Sequence, residues 1–91
     1  MAEVPELTRR EREVLLELVR PIGADGEAFT EAASVKAIAQ RLFVSEAAVK
    51  QHLLRLYDKF GVYDSGERRR VRLANEAIRR GAVTLADLRQ T

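Results

Sequence analysis

The chain has 91 residues, no cysteine and a formal net charge of +2. That length suits one small domain and not two, and the missing cysteines exclude disulfides and thiolate metal sites. No apolar run approaches the roughly 20 residues of a membrane span, and an N-terminus charged at Glu3 and Glu6 is no signal peptide, so a soluble, cytoplasmic protein without membrane contact is expected.

Apolar residues recur at helical spacing and nothing alternates with period two for long, which predicts an all-α fold. In "LTRRE" Glu11 follows Thr8 by three positions, the capping-box spacing, so the first helix opens at Thr8. Val14, Leu15, Leu18 and Val19 form its inward face. Pro21, Gly23 and Gly26 end it and open a loop, "PIGADGEAFTEAAS", that runs to Ser34. Phe29, an isolated aromatic in this polar loop, is expected to anchor on the core.

Ser34 caps a second helix, "VKAIAQRLF", with Ile38, Ala39 and Leu42 inward. Val44 interrupts and Ser45 caps a third helix, which runs to Phe60 and stops at Gly61. Asp64 or Ser65 starts a fourth, "GERRRVRLANEAIRR", with Val71, Ala74 and Ile78 inward and Gly81 at its close. "TLAD" repeats the cap-then-acid spacing and predicts a last turn after Thr84.

Two short helices joined by a turn of three or four residues are the helix-turn-helix pattern. Ile38 and Leu42 anchor the first of the pair, Val44 plugs the turn and Val49 anchors the second; Ala39 is small where the two backbones approach. On a wheel of about 100° per residue, Leu53, Leu56 and Phe60 fall within about 40° of Val49. Ala47, Gln51, Leu54 and Asp58 fall opposite, flanked by Lys50 and Arg55. Helix-turn-helix proteins present the N-terminal part of this second helix to base edges in the major groove. Lys50 is suited to guanine N7 and O6, Gln51 to adenine, and Ala47 to close approach and a thymine methyl. Leu54 suits a thymine methyl or, equally, a dimer or intramolecular contact.

Charge is unevenly spread. Residues 1–34 hold four basic and eight acidic side chains, whereas residues 35–91 hold twelve basic and six acidic ones. The second part therefore favours a polyanionic partner. "ERRRVR", Glu67 to Arg72, is the densest charge run. It reads either as a phosphate clamp of Arg68, Arg69 and Arg70 at a helix start or as a solvated face. Ser45, Lys36, Arg41, Arg55 and Lys59 complete the expected phosphate-contacting set.

"LTRREREVL" followed by "IAQRLFVSEAAVKQHLLRLYDKFGV" resembles the LuxR/GerE-type helix-turn-helix domain of bacterial transcription regulators. The resemblance covers residues 7–81, leaving 1–6 as an N-terminal arm and 82–91 as a C-terminal turn or tail. It implies four helices with the third in the major groove, sequence-selective binding of double-stranded DNA, and a homodimer through the fourth helix. Lys50 and Gln51 match the family positions that most often touch bases or nearby phosphates. Ala47 and Leu54 stand where members often carry polar or lysine side chains, so two donors are missing. The loop of Pro21 to Ser34 is longer than the few residues usual there.

Two other readings stay open. Region 4 of a bacterial sigma factor resembles this family and reads promoters while bound to RNA polymerase. A protein-interaction module that kept the fold and lost DNA affinity would account for Ala47 and Leu54. No enzyme is expected, because one histidine, His52, and scattered serines define no catalytic constellation. No cofactor or metal is expected either, since the metal-ligating residue types do not cluster. Glu11 and Glu13 read as a cap and as salt links to Arg9, Arg10 or Arg20.

Overall fold

The structure, a computed structural model, describes residues 4–25, 33–84 and 86–87. Four helices make it up: α1 (Arg9–Asp25), α2 (Val35–Leu42), α3 (Glu46–Phe60) and α4 (Glu67–Arg79), with no strand among the described residues. The fold is all-α, with α2 and α3 forming the helix-turn-helix pair.

Short-range hydrogen bonds set most of the helix ends. The Thr8 hydroxyl accepts the Glu11 amide at 3.1 Å while Glu11 accepts the Thr8 amide at 2.9 Å, a closed capping box. Ser34 accepts the Ala37 amide and Ser45 the Ala48 amide, each satisfying a free donor at a helix start. Gly61 ends α3 in the left-handed conformation, which its missing Cβ permits. The Thr84 and Asp87 amides and side chains pair reciprocally, opening the expected last turn.

Two boundaries differ from the expectation. α1 continues through Pro21 and Gly23 to Asp25. A proline gives up one helical hydrogen bond and crowds the carbonyl four residues back, yet its own φ is helical, so a break is not obligatory. The chain then returns to the same region of α1, where the Ala33 amide donates to the Leu18 carbonyl at 3.2 Å. The long connection thus lies between Asp25 and Val35; the expected anchoring of Phe29 falls outside the described residues. α4 starts at Glu67 rather than at Asp64 or Ser65, because the turn is made by Gly66 at φ 65 and ψ −147, a conformation open to glycine.

The core gathers residues from every helix. Val14, Leu15, Leu18 and Val19 of α1, Ile38 and Ala39 of α2, and Val49, Leu53, Leu56 and Phe60 of α3 are all buried. Leu42 and Val44 pack partly buried against them, so Val44 fills the turn. α1 and α3 each touch all the other helices, whereas α2 and α4 do not meet. α3 is therefore held from three sides and keeps one free.

The inward face of α4 is corrected by one register. Leu73, Ala74 and Ala77 are buried, Val71 is intermediate and Ile78 is 43% exposed. On the wheel Leu73 and Ala77 lie within about 40° of each other, whereas Val71 and Ile78 sit at the opposite edge of Ala74. Phe43, at the end of α2, has φ 58 and is 95% exposed, a strained backbone with no burial to offset it.

Candidate nucleic-acid interface

The buried stripe of α3 is Val49, Leu53, Leu56, Tyr57 and Phe60. Opposite it Ala47, Lys50, Gln51, Leu54, Arg55 and Asp58 are exposed. The sequence residues proposed to face bases therefore share one open surface of one helix. Ser45, also exposed, uses its hydroxyl oxygen on the Ala48 amide at 3.0 Å. Its hydroxyl proton remains a donor, since a hydroxyl both accepts and donates. His52 is intermediate in exposure, at the margin of this surface.

Ion pairing sorts the basic side chains. Arg9 and Arg10 pair with Glu13, Arg12 with Asp87, Arg20 and Arg41 with Glu17, and Lys59 with Glu11. Arg72 pairs with Asp64, while Arg79 and Arg80 share Glu76. Among the described residues, Lys36, Lys50, Arg55, Arg68, Arg69 and Arg70 are left without an acidic partner. None of these six is on α1. They belong to the first turn of α2, the open face of α3 and the first turn of α4.

Their places at helix starts are informative. A helix N-terminus carries partial positive charge and disfavours cations by about 0.3–1 kcal/mol each. Lys36, Arg68, Arg69 and Arg70 all stand where the dipole opposes them. Helix stability therefore does not account for these residues, whereas an anion facing the same helix ends would be attracted by both dipole and side chains.

Two of the expected phosphate contacts have acidic partners. Lys59 turns toward α1, where its ammonium donates to Glu11 Oε1 at 2.6 Å and to the Glu6 carbonyl at 2.9 Å. It lies next to a carboxylate that is 1% exposed and serves as that carboxylate's counter-ion. Arg41 shares Glu17 with Arg20 but stays largely exposed, so this pair leaves it reachable.

Glu11 was readable as a cap but not as a buried charge. Burial favours its neutral form, yet the Lys59 ammonium and the Thr8 amide outweigh this and hold its carboxyl below the ordinary glutamate value of 4.5. Glu13 pairs with Arg9 and Arg10 as its spacing implied.

Sequence reasoning missed Tyr57. Its ring is buried, and the Arg69 guanidinium lies 4.4 Å from the ring centroid. Burial pushes the phenol above its usual pKa, opposed in part by the positive charges of Arg69 and Arg70. The pairing joins α3 to α4 across twelve positions, a separation that carries no periodic signal.

No helix among the described residues is long and apolar enough to cross a membrane, and none of their His, Asp or Glu side chains gather into a group able to hold a metal. Residues 27–68 match the family model of bacterial regulatory proteins of the luxR family. The matched span contains α2, α3 and the turn between them, and stops at the first turn of α4. No curated protein and no solved structure matches the chain. The family so matched is one of DNA-binding transcription regulators with a helix-turn-helix domain.

Proposed function

We propose, from the luxR-family match over residues 27–68, that this chain binds double-stranded DNA sequence-selectively and regulates transcription, with α3 in the major groove. The observation that carries the reading is the coincidence of two independent sortings. The open face of α3 holds Lys50, Gln51, Ala47 and Leu54, and the cations without an acidic partner among the described residues lie on α3 itself and in the first turns of α2 and α4. Lys50 and Gln51 address base edges, Ala47 lets the helix approach, and Leu54, 51% exposed, meets a thymine methyl. Ser45, Lys36, Arg55 and Arg68 to Arg70 hold phosphates on either side, with Arg41 as an auxiliary contact.

Salt titration tests this. If Lys36, Arg55, Arg68, Arg69 and Arg70 each neutralise one phosphate, log K falls with log salt at a slope of about −4.5 per protein chain. Between 50 and 200 mM salt that is a loss of about 500-fold in affinity. A flat response would sink the DNA reading and favour the protein-interaction module. A duplex bound only in the presence of polymerase would instead favour the sigma-region reading.

Homodimerisation through α4 is part of the proposal. Ile78 is exposed at the outer edge of that helix, with Val71 seven residues earlier on the same edge. Sedimentation on an inverted-repeat duplex is expected to show two chains per site. Ile78→Asp is expected to reduce this to one while leaving the monomer folded, and two chains retained by the variant would place the dimer contact elsewhere. The domain is proposed to span residues 7–81 and to work in the cytoplasm.

A further inference from the structure

Two polar atoms in the first turn of α4 have no hydrogen-bond partner among the described residues. Arg69 Nε–H and Arg70 Nε–H are both shielded from solvent and donate to no acceptor among the described residues. A shielded donor without a partner is costly and needs a reason. These two are adjacent in sequence, and no carboxylate pairs with either among the described residues. Both arginines lie near enough to the Tyr57 phenol for their charges to act on it.

Arg69 is not free to wander. Its guanidinium is stacked over the Tyr57 ring, whose electron-rich face attracts a cation and holds the planar group in one orientation. Tyr57 itself is buried in the core, on the helix that carries Lys50 and Gln51. A guanidinium fixed in this way loses less freedom when it binds than one on an open chain.

We propose that Tyr57 is a positioning residue, and that it fixes Arg69, beside Arg70, as part of one seat for two neighbouring backbone phosphates at the α3–α4 junction. The inference rests on the DNA-binding reading and deepens it. Tyr57 ties the phosphate clamp of α4 to α3, so that engaging these phosphates sets the depth and angle of α3. Arg69 and Arg70 contribute the charge, and the Tyr57 ring contributes the orientation of Arg69.

The test compares Tyr57→Leu, Tyr57→Phe, Arg69→Ala and the Tyr57→Leu/Arg69→Ala pair, with thermal melts confirming that each is folded. Arg69→Ala is expected to flatten the salt slope of duplex binding by about 0.9, equal to three- to fourfold less change between 50 and 200 mM. Tyr57→Leu, which leaves both charges in place, is expected to give most of that same change, and the double variant little more. Tyr57→Phe keeps the stacking ring and is expected to restore most of the slope; should Tyr57→Leu not fold, Tyr57→Phe with Arg69→Gln carries the comparison. Tyr57 variants with the wild-type slope, or losses that simply add in the double variant, would overturn the positioning role.

A second readout needs no DNA. Titrating the free protein with inorganic phosphate is expected to move the Arg69 and Arg70 Nε–H resonances, and to move them less in Tyr57→Leu. Movement without any duplex binding would keep the seat and discard the DNA reading. Unmoved resonances in a protein that binds duplexes with an unchanged Tyr57→Leu slope would discard the seat and keep the DNA reading.

Discussion

Lys59→Met is expected to lower the melting temperature by roughly 10–20 °C. The substitution keeps the unbranched stem and removes the charge, leaving the carboxylate of Glu11, 1% exposed, without its counter-ion. Breaking a buried pair from one side costs about 3–5 kcal/mol. The Lys59 side chain retains 32% exposure, so water screens part of the interaction and about 2–3 kcal/mol is the better expectation. For a domain of this size each kcal/mol moves the midpoint by about 4–8 °C. Adding Glu11→Gln is expected to return most of the loss, because the amide oxygen still accepts the Thr8 N–H and no charge remains buried. A Lys59→Met protein that melts within about 2 °C of the wild type would show that the pair contributes little.

The same pair fixes the sign of a pH effect. In the folded protein Glu11 ionises below its ordinary value of 4.5. Its contribution is therefore complete above the unfolded pKa and is lost as pH falls through the lower folded one. In Lys59→Met burial is no longer opposed by the ammonium. The deficit of the variant is then greatest near neutral pH and shrinks on acidification, once Glu11 is protonated in both proteins. Denaturant midpoints measured from pH 7 to pH 3 check this; a deficit that grows toward acid would contradict the role given to Glu11.

The second large effect is on recognition. Lys50→Ala combined with Gln51→Ala is expected to remove discrimination between a selected duplex and a scrambled one. Each lost base contact costs about 1–3 kcal/mol, so the pair should cost the selected duplex at least about 30-fold. Both side chains are exposed, so the melting temperature should stay close to that of the wild type. Arg69→Ala should instead weaken every duplex alike, as a phosphate contact does. Equilibrium binding to both duplexes separates the two behaviours. Equal losses on both duplexes from both sets of substitutions would refute the division between base-reading and phosphate-holding residues.

The matched span and the readable motifs overlap but are not identical. Residues 27–68 carry the helix-turn-helix pair, whereas "LTRREREVL" lies before them on the chain. The structure shows what that earlier segment does physically. α1 supplies Val14, Leu15, Leu18 and Val19 to the core under α3, and Glu11 to its last turn. α3 is thus supported by residues whose own motif concerns capping and packing.

Sequence alone was sufficient wherever the deciding interaction spans three or four residues or one helical period. Thr8 with Glu11, Ser34 with Ala37, Ser45 with Ala48 and Thr84 with Asp87 are all such cases, as is the split of α3 into a buried stripe and an open face. Tertiary packing alone decided the rest. Lys59 meets Glu11 across 48 positions, Tyr57 lies under Arg69 on another helix, Gly66 rather than Ser65 sets the start of α4, and Ile78 rather than Leu73 is turned outward. The physical reason is that hydrophobic period determines which residues need burial, but not which neighbour will cover them. A cation on a helix is assigned to structure or to a ligand only by whether folding brings a carboxylate to it.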